Sequence, residues 1–320
     1  MTDIKSTYPM LSPRKSRGFR PTPFIASEIK RFSKTNSFVL AAWAFFYLVS
    51  IFLLGYLSLR IHAELGTAAS IIPFLLIAVA IARQQRALEN LVHSASHFEF
   101  SRKNKKLNDF LGNVLAAFPV ANIVEDYRKG HFLHHRAYNS ELDPCKKRYQ
   151  ALGIKLHDET SASSLFLDIC QAYPHYALGF YRAVGSDIRA LSYFAFWHIL
   201  FAILPLLAVT DLPGALSAWA VVWLVPMIFI LPMLRIIGEL NEHIYVDGAA
   251  EFSSTINNVG WVHELIFHPW QDGYHLVHHL FPGVPNLKLA ELHDLLLEND
   301  PRYKTSLIRR KFLVRPEKIE

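Results

Sequence analysis

Two stretches of this sequence share the spacing H-x-x-H-H, at His131, His134 and His135 and again at His275, His278 and His279. Residues three and four apart lie on one face of a helix, so each stretch would crowd three imidazoles onto a single turn. A further pair, His93 and His97, has the i, i+4 spacing that also stacks side chains on one face. Neutral imidazole is a good ligand for zinc, iron, copper or nickel. Eight clustered histidines exceed the four donors of a tetrahedral zinc site and fit a two-metal site. His243, in Glu239-Leu240-Asn241-Glu242-His243, is a candidate ninth donor, expected on a helix that continues from the preceding apolar run. Three carboxylates close by in sequence, Asp126, Glu242 and Asp272, are candidates to orient the imidazoles through their free N–H groups.

The remaining chemistry-bearing residues read more plainly. The isolated histidines His62, His157, His175, His198 and His293 are expected to be surface or hydrogen-bonded core residues. His263-Glu264-Leu265-Ile266-Phe267-His268 approaches a zinc-protease helix, but its spacing is H-E-x-x-x-H, and at i, i+5 the two rings point apart on an α-helix. Cys145 and Cys170 form no C-x-x-C motif and suggest no disulfide framework. A nucleophile elbow, a P-loop and a dinucleotide fingerprint are all missing from the sequence.

Something must position these histidines, and the composition says what. Apolar residues make up 52% of the chain, aromatic content is high with 23 Phe, 13 Tyr and 6 Trp, and mean hydropathy is positive. That mix points to lipid contact. The net charge of +6 fits an anionic membrane surface or an acidic partner protein. Without a basic recognition helix, zinc finger or ribonucleoprotein motif, no nucleic-acid partner is expected. Residues 1–36 form a basic arm, with Arg14, Lys15, Arg17 and Arg20 followed by Lys30, Arg31 and Lys34, and they lack the apolar core and small-residue cleavage site of a secretory signal. About 20 apolar residues suffice to cross a bilayer as a helix. Four runs come close to that requirement: about 37–59, 67–82, 190–210 and 215–237. The second is expected to continue as one helix past the membrane to His93 and His97. Residues 107–123 read as a re-entrant or interfacial segment, and 164–184 as an interfacial helix broken at Pro174. Leu289, Leu292 and Leu296 mark an amphipathic helix over 287–298.

The fold class that follows is an all-α membrane protein with four transmembrane helices in two hairpins and a helical cap on one side. The domain plan is an arm over 1–36, a membrane body over 37–298 and a tail over 299–320. Four spans put both termini and the middle segment on one side of the bilayer. The excess of Lys and Arg in the arm places that side in the cytosol. All three histidine clusters then share one face of the membrane, at cytosolic helix ends. A histidine-rich metal transporter, the main rival from another class, would need ionisable ligands inside its spans, and here the spans hold only His198.

Taken together, these residues resemble the membrane fatty acid desaturase superfamily, the histidine-box non-haem di-iron enzymes. The first box resembles His93 to His97 with Asn108-Asp109-Phe110-Leu111-Gly112. The second is similar to Tyr127-Arg128-Lys129-Gly130-His131 through His135, followed by Asp143-Pro144. The third is similar to Tyr274-His275 through His279, then Leu280-Phe281-Pro282-Gly283-Val284-Pro285. The likeness runs roughly from residue 40 to 298. Two positions depart from the family pattern: Gly273 stands where asparagine is frequent, and Arg235 leads to Glu239-Leu240 instead of directly to Glu242-His243. The resemblance implies two iron ions held by His93, His97, His131, His134, His135, His243, His275, His278 and His279. It also implies O2 as co-substrate, a fatty acyl or similar lipid substrate, and electrons from a ferredoxin, a rubredoxin or a cytochrome b5-type protein. Desaturation is the leading reaction. Hydroxylation, ketolation, acetylenation or oxidative decarboxylation of a free fatty acid to a terminal alkene are the alternatives for the same site.

Overall fold

The computed structural model describes residues 19–153, 162–245, 249–309 and 317–318. Arg14, Lys15, Arg17 and His157 lie outside the described residues. The described chain is predominantly helical, with one small sheet.

A short helix, α1 (Pro23–Phe32), is followed by α2 (Ser37–Ser96), whose first turn is capped by Asn36 Oδ1 accepting from the N–H groups of Phe38 and Val39 at 3.0 and 3.3 Å. The 60 residues of α2 are not one rod. Gly66 sits at φ 73°, ψ 177°, a conformation L-residues rarely adopt, and the chain reverses there. His62 Nδ1 and Ser70 Oγ, 3.0 Å apart, tie the two sides of the break. Farther along, Arg83 lies over the Tyr47 ring and the Ser37 hydroxyl donates to the carbonyl of Phe100, so the two arms run side by side. Residues 60–65, between the first two apolar runs, are helical up to the break, and an i, i+4 ion pair between Arg60 and Glu64 at 2.8 Å supports that turn of helix. The second arm continues unbroken to Ser96, as its sequence suggests.

Helix α3 (Lys105–Gly112) passes through a π-helical stretch (Asn113–Ala117) and a 3-10 turn (Phe118–Val120), then bends by 90° into α4 (Val124–Ala137). Asn113 holds the bend, accepting from Val124 N–H and donating to Glu125, both at 2.9 Å. After α5 (Pro144–Ala151) comes α6 (Ala162–Ser186), which runs through Pro174 without the expected break. It packs on the fourth long helix through the Tyr173 hydroxyl, which donates to the Phe229 carbonyl at 3.0 Å.

Two further long helices, α7 (Ile188–Leu207) and α8 (Leu212–Leu240), carry the later apolar runs. Including α2, three described helices are long and apolar enough to cross a membrane, or up to four if the bent pair α3–α4 counts as one. Large apolar side chains such as Phe45, Leu53, Ile72, Leu76, Phe196 and Phe229 stand more than half exposed on them. A large exposed apolar surface is what lipid contact requires.

Beyond α8 the chain forms β1 (Ile256–Asn258), the third histidine stretch as α9 (His275–Leu280), and α10 (Leu289–Asn299). Strand β1 pairs in parallel with β2 (Leu307–Arg309), which pairs antiparallel with β3 (Glu317–Lys318). Leu289, Leu292 and Leu296 are fully buried. Each contributes roughly 1.5–3 kcal/mol by leaving water. They form one cluster with Leu276, Val277 and Leu280 of α9 and with Phe19, Ile25 and Phe32 from the N-terminal arm. Residues from both flanks of the chain thus support the third histidine stretch.

The membrane-type helices meet closely at one point. A Cβ added at Gly55, in the first arm of α2, would lie 2.4 Å from Val222 Cγ1 of α8. Gly55→Val is expected to cost about 1–3 kcal/mol through overpacking. Thermal unfolding in detergent should show a lowered Tm, largely restored by adding Val222→Ala; an unchanged Tm in the single variant would contradict this helix contact.

Candidate metal centre

The last turn of α2 delivers His93 and, at its C-cap, His97. Helix α4 delivers His131, His134 and His135, and α9 delivers His275, His278 and His279. Helix α8 ends at Leu240, so His243 is not helical as expected but sits in an antiparallel bridge to Thr255. That bridge turns its ring toward α4 and α9.

All nine rings converge, and they divide into two sets. His93 Nε2 is 3.0 Å from Nε2 of both His131 and His278, and His97 Nε2 is 2.8 Å from that of His131. His135 Nε2 joins them at 3.0 Å from His131 and 2.9 Å from His278. In the second set, His134 Nε2 lies 3.2 and 3.3 Å from His243 and His279, and His275 lies 3.0 and 3.2 Å from the same two. Each H-x-x-H-H stretch therefore splits. The i, i+4 pair His131 and His135 serves one set and His134 the other, while His278 serves the first and His275 with His279 the second.

The chemistry of this arrangement is restrictive. A neutral imidazole has one N–H and one lone pair. His131 Nε2 faces three other ring nitrogens within 3.0 Å, and one N–H cannot satisfy three such contacts. Donors about 2.1 Å from a shared ion and at right angles to each other stand about 3.0 Å apart. The observed spacings match. Burial pushes His97, His243, His275, His278 and His279 well below the ordinary imidazole range, aided by repulsion among the rings, so they stay neutral with lone pairs free. Two sets of nitrogen donors, five and four, fit two imidazole-bound transition-metal ions.

The outer nitrogens explain how the rings hold their aim. His134 Nδ1 is 2.9 Å from Asp143 Oδ1, His93 Nδ1 is 3.3 Å from Asp272 Oδ1, and His243 Nδ1 is 3.4 Å from the Thr255 hydroxyl. A carboxylate at Nδ1 fixes the proton there and turns the Nε2 lone pair inward. Of the three carboxylates suggested by the sequence, only Asp272 comes within ion-pair distance of an outer nitrogen. Glu242 approaches His275 from the Nε2 side at 3.6 Å. Asp126 instead pairs with Lys129 and Arg189 at 2.6 and 3.0 Å, away from the rings. Asp143 was not singled out as an orienting group, although the Asp143-Pro144 pair held its signal: it caps α5, accepting from Cys145 N–H at 2.9 Å. Because helix capping accounts for an Asp-Pro pair by itself, the second role was hidden.

The strands of chain between the boxes are clamped to one another. Asn108 donates to the Ala95 carbonyl at 2.8 Å and accepts from Phe100 N–H at 3.0 Å. Arg128 donates to the carbonyls of Ser96 and Ala95 at 2.8 and 3.0 Å and pairs with Asp109. These groups satisfy the carbonyl end of α2 and lock the first box against the second. Before the third box, Trp270 and Gln271 adopt φ of +68° and +56°, strained values for such residues. Trp270 Nε1 donating to Ser94 Oγ at 2.9 Å and Asn90 donating to the Pro269 carbonyl at 2.7 Å hold that strained turn against α2, where it brings Asp272 to His93. Gly273 follows for a steric reason. A Cβ there would lie 2.4 Å from the Asn258 carbonyl oxygen, so asparagine cannot replace it without backbone movement.

Residues set aside by sequence keep structural partners. His198 lies between the Pro119 carbonyl and the Trp219 indole N–H at 3.2 and 3.1 Å, and His293 meets the Tyr303 hydroxyl at 2.8 Å. The expectation that His263 and His268 diverge is corrected. Residues His263–Phe267 form a π-helix, whose i, i+5 repeat brings the two rings to 5.4 Å, yet neither joins the donor sets. A cavity of about 300 Å³ reaches His93, His131, His134, His243 and His275. It shares Glu89, Asn122, Asp126, Arg148 and Arg235 with an outer cavity of about 530 Å³.

Asp143→Asn is expected to weaken metal binding by about 10–100-fold, the usual cost of losing a carboxylate behind a ligating imidazole. Competition with a chelator of known affinity measures it; unaltered affinity would remove Asp143 from this role.

Comparison with known proteins agrees with the geometry. A family model for fatty acid desaturases matches residues 66–311, from the Gly66 break to just past β2. A curated relative, dihydrorhizobitoxine desaturase of Bradyrhizobium elkanii, is 26% identical over 249 residues, covering 71% of this chain and 68% of its own. The match takes in all nine histidines and spans well over half the sequence, and the chain belongs to the fatty acid desaturase family.

Proposed function

We propose that this protein is an O2-dependent membrane oxidoreductase with two irons, acting on a fatty acyl chain or similar lipid, and that desaturation is its reaction. The observation that carries the reading is the two sets of converging Nε2 donors. His93, His97, His131, His135 and His278 would hold one ion, and His134, His243, His275 and His279 the other. The bound pair would supply the oxidising power that cleavage of an unactivated alkyl C–H bond demands. In a desaturation, two hydrogens leave adjacent carbons, and O2 takes these with two electrons and two protons from outside to form two waters. A ferredoxin, a rubredoxin or a cytochrome b5-type protein would supply the electrons. Desaturase membership makes a lipid substrate and a membrane setting the coarse expectation.

The residues of the chain do the positioning. Buried imidazoles placed beside Asp143, Asp272 and Thr255 present a fixed donor set, so little reorganisation is needed when metal or substrate binds. The inner cavity gives a substrate segment access to rings of both sets. We read the two arms of α2, with α7 and α8, as four spans in two hairpins, and the histidine layer with both flanks as a cytosolic cap. Helices α3 and α4, bent at a right angle and fastened to the end of α2, fit the edge of that cap better than a further span. Metal transport is disfavoured because His198, inside a span, already has partners on both ring nitrogens.

Elemental analysis of purified protein should find close to two irons per chain. His134→Ala or His278→Ala should lose iron and turnover while membrane insertion persists. Stoichiometric zinc without iron, or full activity in either variant, would overturn the assignment. Lipid and volatile-hydrocarbon profiling of a host with and without the gene separates unsaturated, hydroxylated and alkene products.

A further inference from the structure

The two donor sets differ in how they meet the surface. His134, His243, His275 and His279 are all buried, whereas His97 and His131 of the first set are half-buried, as is His135 beside them. His131 borders the inner cavity, but His97 and His135 do not belong to its wall, so their accessible edges face elsewhere. Phe132, the residue after His131 on α4, stands at that second face with its ring centroid 5.3 Å from that of His97. It is 40% exposed. On this side a molecule that touches Phe132 comes within one aromatic ring of His97.

The charge around that point has one sign. Residues 98–108 hold Arg102, Lys103, Lys105 and Lys106 and a single acid, Glu99, which is buried. The next acid along the chain, Asp109, is held by Arg128. Lys103, Lys105 and Lys106 are exposed and make no ion pair among the described residues. The loop is fastened to the first box. Phe98 takes the left-handed backbone conformation at φ 61°, uncommon for an aromatic residue, and its ring meets Arg128 at 4.0 Å and Lys105 at 5.0 Å. Arg102 donates to the Gly283 carbonyl at 2.6 Å, just past the third box. Besides burial and His93, the charges of Arg102 and Arg128 help to keep His97 neutral, so the basic loop stands close to that ring. An apolar contact point with a polar, charged rim is the layout of a protein interface. Electron-transfer encounters lie at the small end of interface size, so a patch of this kind suffices for one.

We infer that the face made by His97, Phe132 and the loop 102–106 is where an acidic one-electron carrier protein docks to reduce the centre. The inference rests on the histidine sets holding two irons that turn over with O2. Unpaired lysines select an acidic partner and speed its approach. Substrate uses the inner cavity and the carrier uses this other face, so neither blocks the other. Each docking event leaves the carrier oxidised by one electron. Two such events supply the two electrons that, with two protons from water and the two substrate hydrogens, convert O2 to two waters.

The test uses the purified protein in nanodiscs of phosphatidylcholine, with and without phosphatidylglycerol. It is reduced anaerobically by a plant-type ferredoxin, a rubredoxin, the soluble domain of a cytochrome b5, or dithionite. Binding of each oxidised carrier is followed separately by surface plasmon resonance. At least one carrier should bind and reduce the iron. Lys103→Glu with Lys106→Glu should lower that carrier's affinity, and its reduction rate relative to dithionite, by about tenfold or more in neutral nanodiscs. Added salt should lower both in the unaltered chain, and Lys103→Arg with Lys106→Arg should retain both. Carrier affinity and rate ratio unchanged by the charge reversal overturn the inference. If the reversal weakens only the binding of phosphatidylglycerol vesicles, the lysines serve lipid headgroups instead. Iron reduced by dithionite but by none of the carriers overturns the docking face and leaves the two-iron reading intact. Protein that binds no iron sinks the two-iron reading, and a carrier affinity that still falls with the charge reversal would then retain the docking face.

Discussion

Nitrogen crowding is the constraint on which the rest of this structure depends. Nine rings turn their ε-nitrogens toward one another at about 3 Å, and without a cation between them lone pairs that face each other repel. The chain must oppose that repulsion with its own packing. It does so by fastening each contributing segment at a point just outside the rings: Arg128 and Asn108 on the end of α2, Asp143 behind α4, the strained Trp270 turn ahead of α9, and the Thr255 bridge beside His243. The apolar helices then need only hold those segments at one level.

The third histidine stretch shows how much of the positioning is distant from the converging ring nitrogens. Helix α9 is six residues long, too short to persist by its own hydrogen bonds. Its apolar positions, Leu276, Val277 and Leu280, are buried against α10 and against α1 from the opposite end of the chain. Asn257 adds acceptance of the Leu276 N–H at 3.1 Å, and the parallel pairing of β1 with β2 holds Asn257 in place.

Much of the centre was legible in the sequence, because i, i+3, i+4 spacing and hydropathy are local signals. The eight histidines of the three spaced clusters, the long helix carrying His93 and the amphipathic Leu289–Leu296 face all follow from periodicity, whereas His243 lies in no such spacing. What was not legible depended on contacts between distant segments. Asp143 could be recognised as a cap but not as the partner of His134, which lies nine residues before it across a turn. Asp126 and Glu242 were placed by proximity in sequence, and proximity does not tell which nitrogen a carboxylate will face. The convergence of His263 and His268 required knowing that five residues would wind as a π-helix. The steric need for Gly273 appears only once the Asn258 carbonyl is packed against it.

The meeting of α1 with α9 and α10 bears on how the protein is made. The first box emerges early in synthesis and the third late, and the cluster that seats the third draws on residue 19 at one end and Tyr303 at the other. The two donor sets therefore cannot close on a nascent chain that is still being inserted. Until residues from both flanks of α9 have been made, His93, His97, His131, His134 and His135 of α2 and α4 stand without the rings of the third stretch.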